Sequence, residues 1–334
     1  MRDVTSTAVL LIALALALGG CSPPAARQVR VALSKDPITW LPVRLAQTLG
    51  YYKQEDLAVE TSEVAGLSKG MEALLGGSVD VAADTGVGLI QMAAEGRSVQ
   101  GFLAFRSRPS QALIVSPAAS GKIHSIADLK GHRVGVSSPG SPTQWFLNYL
   151  LVSHGLKPED VSAIAIGTAA TSVASVEHGQ VDAAVLVSNA VTVLTRQYPN
   201  LTILAETRTP ESLQKALGVA TFPSGLLVAK ENWLKDNHDT ARRFTLAVQK
   251  AMQWMRDRTA EQVRAQMSEA ERMPDAAADL EAIRQFQETI LPNGAMPADG
   301  LETVRKVLAA SSDKIRAAHI DLSGIYTNEF VAGN

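Results

Sequence analysis

Arg30-Val31-Ala32-Leu33-Ser34 and Arg133-Val134-Gly135-Val136-Ser137 are one short apolar run written twice. Likewise, Gly77-Ser78-Val79-Asp80-Val81-Ala82 returns as Gly179-Gln180-Val181-Asp182-Ala183-Ala184. Arg30 and Arg133 lie 103 residues apart, and Asp80 and Asp182 lie 102 apart, so the spacing is kept along with the wording. Between these markers the order of signals also agrees: a β-type run, a loop of Ser, Pro and Gly or Asp, then an amphipathic helix. In the second copy Ser141 is a natural N-cap, Pro142 occupies the first helical position and Gly155 is a stop. Phe146, Tyr149 and Leu150 then form one apolar stripe, and Trp40 to Gly50 plays the same part in the first copy. Second strands are expected over 57–64 and 161–166. Each copy therefore reads β-α-β-α-β, which implies a mostly parallel sheet with right-handed crossovers. Chance likeness among generic α/β segments is the alternative. A repeat of this length is a whole lobe, whereas solenoid units are far shorter.

Working outward, the chain of 334 residues is long enough for two such lobes. Its 46% hydrophobic and 19% charged residues are ordinary for a protein with a full core. A net charge of −2, with acids and bases spread along the chain, offers no clustered basic face for nucleic acid. Aromatic residues make up 5%, too few for base-stacking platforms. After the second copy, Thr221-Phe222-Pro223-Ser224-Gly225-Leu226-Leu227-Val228 reads as a strand returning to the first lobe beside Gln111-Ala112-Leu113-Ile114-Val115. The expected division is a first lobe over 29–116 and 222–334 and a second over 117–221. Hinge crossings are expected near 116–125, where Pro, Gly, Ser and Ala dominate, and near 206–222. The tail reads as helical: Asp239 caps a segment with Phe244, Val248, Met252 and Met255 at helical spacing, the two Met as core filler. Stretches 260–289 and 301–318 read as surface helices on the first lobe.

The first 20 residues have another purpose. Arg2 precedes the apolar run from Ala8 to Leu18, which suits a secretory signal and is too short for a stable span. Leu18-Gly19-Gly20-Cys21 resembles the bacterial lipobox, in which the cysteine is lipidated and becomes the new N-terminus. Cys21 is the only cysteine, so it has no internal disulfide partner. The tether would run to residue 28. These features predict an exported chain, periplasmic or at the cell surface, anchored by lipid on Cys21 without crossing the membrane. A plain signal peptide with an incidental thiol is the alternative.

Ser125-Ile126-Ala127-Asp128-Leu129-Lys130-Gly131-His132-Arg133-Val134-Gly135-Val136, followed by Ser138-Pro139-Gly140-Ser141, resembles the start of the second lobe in type II periplasmic binding proteins. More narrowly, it is similar to the nitrate, sulfonate, taurine and thiamine-precursor group. Gly155-Leu156-Lys157-Pro158-Glu159-Asp160-Val161 and the repeated Gly-x-Val-Asp segments fit the same group. The resemblance spans about Val29 to Trp254. It implies a two-lobed α/β clamshell and a binding component that delivers a small-molecule solute to an ABC permease and ATPase, as a monomer and with no cofactor.

The residues locate a ligand site independently. In open α/β sheets, ligands sit beyond the carboxyl ends of the strands, where loops and helix N-termini converge. The candidate contacts are Ser34, Trp40, Thr85 and Gly86 in the first lobe, and Ser137, Ser138, Gly140, Ser141, Thr143, Thr168 and Asn189 in the second. Ser141 and Thr143 have a purely structural alternative as helix caps, Thr85 and Gly86 as a turn, Trp40 as core, and Asn189 as a turn or cap residue. Asp80 and Asp182, being repeated, read as structural, and Lys35 and Asp36 as solvated. No arginine clamp is visible in these loops. Sulfonate-type members often carry an aromatic and an acid where this chain has Val187-Ser188-Asn189, which argues against a sulfonate.

Two rivals remain. Relatives of this fold make a thiamine pyrimidine, but that chemistry is associated with a cysteine-rich stretch, and the six His show no metal-ligand spacing. No catalytic residue and no metal site is therefore expected. A sensor handing its signal to a membrane receptor needs the same ligand-stabilised closure.

Overall fold

The computed structural model describes residues 26–331 except Pro37 and Pro274, so the expected export signal and Cys21 lie outside the described residues. Along the chain, β1 (Arg27–Ser34) leads to α1 (Leu41–Thr48), the single turn α2 (Tyr51–Gln54), β2 (Leu57–Val64), α3 (Leu67–Gly76), β3 (Val81–Asp84) and α4 (Gly86–Ala94). Next come β4 (Val99–Arg106) and β5 (Gln111–Val115). The second copy is β6 (Arg133–Val136), α5 (Pro142–Ser153), β7 (Ser162–Ala165), α6 (Ala170–Glu177), β8 (Ala183–Val187), α7 (Ser188–Gln197) and β9 (Ile203–Glu206). After α8 (Pro210–Leu217) and β10 (Ser224–Lys230) the tail is helical: α9 (Glu231–Asp236), α10 (His238–Arg256), α11 (Ala260–Gln266), α12 (Ala276–Gln287), α13 (Gly300–Ser311) and α14 (Asp313–Ala317).

Two five-stranded sheets result, ordered β2-β1-β3-β10-β4 and β7-β6-β8-β5-β9. The repeat is visible strand for strand. β1 pairs in parallel with β2 and β3, as β6 does with β7 and β8. Each sheet then takes one antiparallel strand, β10 in the first and β5 in the second.

The twin markers explain themselves as twin clamps. Asp80 stands just before β3 and accepts from Arg30 Nη2 at 2.7 Å and from the Arg30 backbone N–H at 2.9 Å. Asp182 does the same before β8, accepting from Arg133 Nη2 at 2.9 Å and from the Arg133 N–H at 2.9 Å. The reading of both aspartates as structural agrees with these bonds. Gly77 and Gly179, at φ +80 and +63, supply the left-handed turn that brings each helix into its clamp.

The placement of Gln111–Val115 differs from the expectation. β10 does return to the first sheet, but it lies between β3 and β4, whereas β5 pairs with β8 and β9 in the second. An all-buried strand carries no alternation to mark its sheet, so its partner is decided by tertiary packing. The first crossing between sheets is therefore 107–110, not 116–125. The expected linker instead holds the short turn Pro117–Ala119 inside the second lobe, where Ser116 Oγ donates to the Val181 carbonyl at 2.7 Å. The second crossing follows α8, and the two strands of the hinge touch: the Phe222 N–H donates to the Ser107 carbonyl at 3.0 Å.

The first lobe closes on Leu33, Trp40, Phe102, Phe105, Phe244 and Phe286, with Met252 and Met255 in that core as expected. α10 begins one residue before Asp239, whose carboxylate pairs with Arg242 and Arg243 in place of capping. The tail does not stay on the first lobe. Val304 and Leu308 of α13 share a buried cluster with Ile90 of α4 and Leu147 of α5, so α13 packs across both halves. α12 likewise meets α7, and Arg196 Nε pairs with Asp275 at 2.9 Å.

A cleft between the two sheets

The strand ends of both sheets converge on a cavity of about 690 Å³, a volume that includes its open mouth. β1 and the loop after it supply Ser34, Asp36, Thr39 and Trp40; β3 supplies Thr85, and β4 ends in Arg106. From the other lobe come Gln111, Ser137, Thr143, Thr168 and Val187, and from the second crossing Phe222. Of the expected contacts, Ser34, Trp40, Thr85, Ser137, Thr143 and Thr168 line this cavity.

Five of the six are held by side-chain hydrogen bonds within their own lobe. Trp40 is fully buried, its Nε1 donates to Ser34 Oγ at 2.6 Å, and its ring meets Phe105 edge-on at 5.8 Å. It is core and cleft wall together. Thr85 caps α4, its side chain accepting from the Gly88 N–H. Thr143 Oγ1 accepts from the Ser137 N–H at 2.9 Å and lies within 2.9 Å of Ser137 Oγ and 2.8 Å of Ser141 Oγ, a chain of hydroxyls whose proton directions are free to reverse. Thr168 Oγ1 is buried with no hydrogen-bond partner among the described residues, an orphan donor and acceptor on the cavity wall.

The other expected residues lie elsewhere. Ser141 is buried and caps α5, accepting from the Gln144 N–H. Gly86 packs against Val304 and the Pro223 carbonyl at the start of α4. Ser138 faces the opposite lobe, with its Oγ 3.0 Å from Ser68 Oγ. Gly140 lines a second cavity, between α4, α5 and α14, together with Asp84 and Trp145. Asn189 is buried, with its Oδ1 accepting from the Ala190 N–H at 2.8 Å, and it does not line the cleft.

Two charged residues overturn the sequence reading. Asp36 is buried, not solvated: Oδ1 accepts the N–H groups of Ile38 and Thr39 at 3.1 and 3.2 Å, and Oδ2 accepts Thr39 Oγ1 at 2.7 Å. Lys35 does stay exposed. Arg106 supplies the guanidinium that the loops lacked, from the end of a strand. Its signal was present in Phe102-Leu103-Ala104-Phe105-Arg106, a cation closing a fully buried run, but only the fold aims it at the cleft.

Burial also bears on Asp84 behind the wall, pushing its carboxyl up to about 7 against one bond from the Thr85 N–H at 2.7 Å. Gly88 makes room for that carboxylate, since a Cβ there would fall 2.3 Å from both its oxygens. No group of three or more His, Cys, Asp or Glu side chains among the described residues could hold a metal ion.

Residues 39–262, most of both lobes and all the cleft loops after Ile38, match the sequence pattern described as NMT1/THI5 like. The chain belongs to the NMT1/THI5-like family. Among its curated relatives is 4-amino-5-hydroxymethyl-2-methylpyrimidine phosphate synthase THI13 of Saccharomyces cerevisiae, 25% identical over 241 residues, which are 67% of this chain and 68% of that one. A solved protein of Bordetella bronchiseptica RB50 superposes with a TM-score of 0.85 at 31% identity, covering 91% of this chain and 95% of that one. The alkanesulfonate-binding protein SsuA of Xanthomonas axonopodis pv. citri, solved with MOPS bound, superposes at 0.69 with 18% identity over 91% and 98%. That last likeness is one of fold, the two-lobed periplasmic-binding-protein architecture.

Proposed function

We propose that this NMT1/THI5-like protein is an exported solute-binding lipoprotein that takes a small polar or anionic organic solute between its lobes and delivers it to an ABC importer. The observation that supports this most is the composition of the cleft. Both lobes and the hinge contribute walls to one cavity, so a solute that fills it touches both halves at once. Contacts that need the lobes together are formed around its edge: Ser68 Oγ lies 3.0 Å from Ser138 Oγ and donates to the Pro139 carbonyl at 3.2 Å. A solute with higher affinity for this closed arrangement than for an open one shifts the balance toward it, and closure creates the surface a permease reads. The lipid on Cys21 would hold the monomer at the membrane beside its permease and ATPase.

One finding favours a second reading. The curated relatives that make a thiamine pyrimidine share the family, so an enzyme of this fold is the rival. The two separate in one experiment. The full chain is titrated calorimetrically with nitrate, bicarbonate, sulfonates, pyrimidines and aromatic acids, and the same mixtures are analysed for new products. The binding reading expects saturable, reversible heat with the solute recovered unchanged, and a loss of at least roughly tenfold in affinity in Trp40→Ala. Consumption of the bound molecule would establish the rival. Affinity unmoved in both Trp40→Ala and Thr85→Ala would remove the cleft from the account. Absence of lipid on Cys21 in membrane-extracted protein would refute the anchor.

A further inference from the structure

Arg106 differs from Arg108, the other buried arginine among the described residues, which pairs with Glu288 at 3.4 Å. The partly buried Arg44 pairs with Glu63 and Glu271, Arg208 with Glu206, and Arg264 with the buried Asp279. Arg106 is 2% exposed, yet no carboxylate among the described residues lies within ion-pairing distance. Its partners are neutral. Nε donates to Thr289 Oγ1 at 3.1 Å, Nη2 donates to Ser110 Oγ, and the guanidinium lies over the Phe286 ring at 4.9 Å. Nη1 makes no hydrogen bond to a described residue, and the side chain lines the cleft.

Desolvating a cation is costly when no carboxylate is within ion-pairing distance and only the field of Asp36 acts on it, and an arriving anion offsets that cost. Burial lowers the pKa of Arg106 to about 10, so it keeps its charge at neutral pH. The guanidinium fork suits a planar carboxylate, which can take two parallel N–H bonds. The cleft also limits the charge it accepts. Asp36 lines the same wall, close enough for its field to act on Arg106, and would repel a second negative charge on the solute. The rest of the wall, with Trp40, Leu67, Val87, Pro142 and Phe222, is apolar.

We infer that the solute is a small organic monoanion that places a carboxylate-like head on Arg106 and an apolar body against the aromatic and aliphatic wall. This rests on the cleft being the solute site, as proposed above.

The test compares acids with their amides, which keep the shape and lose the charge: acetate and acetamide, butyrate and butyramide, benzoate and benzamide, nicotinate and nicotinamide. Phthalate serves as the dianion. Binding to the full chain is read by thermal shift and calorimetry. At least one acid should bind tenfold or more tighter than its amide, with phthalate weaker than benzoate. Arg106→Gln should erase the preference, Arg106→Lys should keep part of it, and Asp36→Asn should admit phthalate. If no acid binds, if every acid that binds is matched by its amide, or if the preference survives Arg106→Gln, the inference is wrong. Should Arg106→Gln fail to fold, the acid–amide contrast in the unaltered chain and in Arg106→Lys still decides. A neutral solute whose binding is weakened by Trp40→Ala and Thr143→Val would overturn this inference and leave the cleft reading standing. Acid binding indifferent to both variants would instead remove the cleft.

Discussion

The two lobes share a frame and differ in what they turn toward each other. Both carry the Arg–Asp clamp, the left-handed glycine before it and the same parallel trio of strands. Yet the first lobe buries Asp36, Asp84 and Arg106 at or just behind its face, whereas the second offers Ser137, Thr143 and Thr168 to the cavity and no charge. The frame lies at the carboxyl-distal side, where strand register decides fit; the cleft lies in loops after the strands, which are free to change without disturbing the sheet. A duplicated chain can thus keep its skeleton while one wall becomes polar and neutral and the other comes to hold buried charge.

The comparison can be broken most sharply at Gly88. A methyl there falls 2.3 Å from both Asp84 oxygens, so Gly88→Ala should destabilise the chain by about 3 kcal/mol despite a better helix propensity, as measured by chemical denaturation. If the stability is unchanged, Asp84 is not held as described.

Next in size is the pH dependence that this carboxylate imposes. Its pKa is about 7 in the fold and near 3.8 when unfolded, so between these values the folded protein holds a proton that the unfolded chain has released. Stability should therefore fall as pH rises through that window and level off above it. The difference between the parent chain and Asp84→Asn should change by roughly 2 kcal/mol between pH 5 and 7. Parallel curves would show that the group titrates normally.

A smaller effect is expected where the lobes meet. A Cβ on Gly66 would lie 2.6 Å from Ser138 Oγ, so Gly66→Ala should weaken solute binding about tenfold, near 1.4 kcal/mol, by hindering closure. Adding Ser138→Ala should restore most of the loss, a rescue that titration of the double variant would reveal.

The clamps should matter least, being partly exposed. Asp80→Asn and Asp182→Asn should each lower the melting temperature by roughly one or two degrees. Asp182 should cost more, since His132 Nδ1 also lies 3.3 Å from it and Arg133 holds its carboxyl down at about 2. Equal shifts would mean that the extra histidine contributes nothing.

Much of this is legible in the sequence. The repeated Arg and Asp, the cap at Ser141 and the two β-α-β-α-β units follow from local pattern, because helix caps, strand runs and glycine turns are set by neighbours in the chain. Six of the eleven expected contacts do line the cleft, since strand-end loops face the gap in any such lobe. Distance along the chain hid the rest. β5 is buried on both faces and could join either sheet, so its pairing with β8 had to come from packing. Asp36 looked solvated because the donors that bury it are visible only once the turn closes. Arg106 gains its meaning from Thr289, 183 residues away, and from having no carboxylate within ion-pairing distance among the described residues. Sequence by itself determined the doubled skeleton, because short-range chemistry builds it. Only the tertiary structure decided which charges face the cleft, because burial and the choice of partner are properties of the assembled fold.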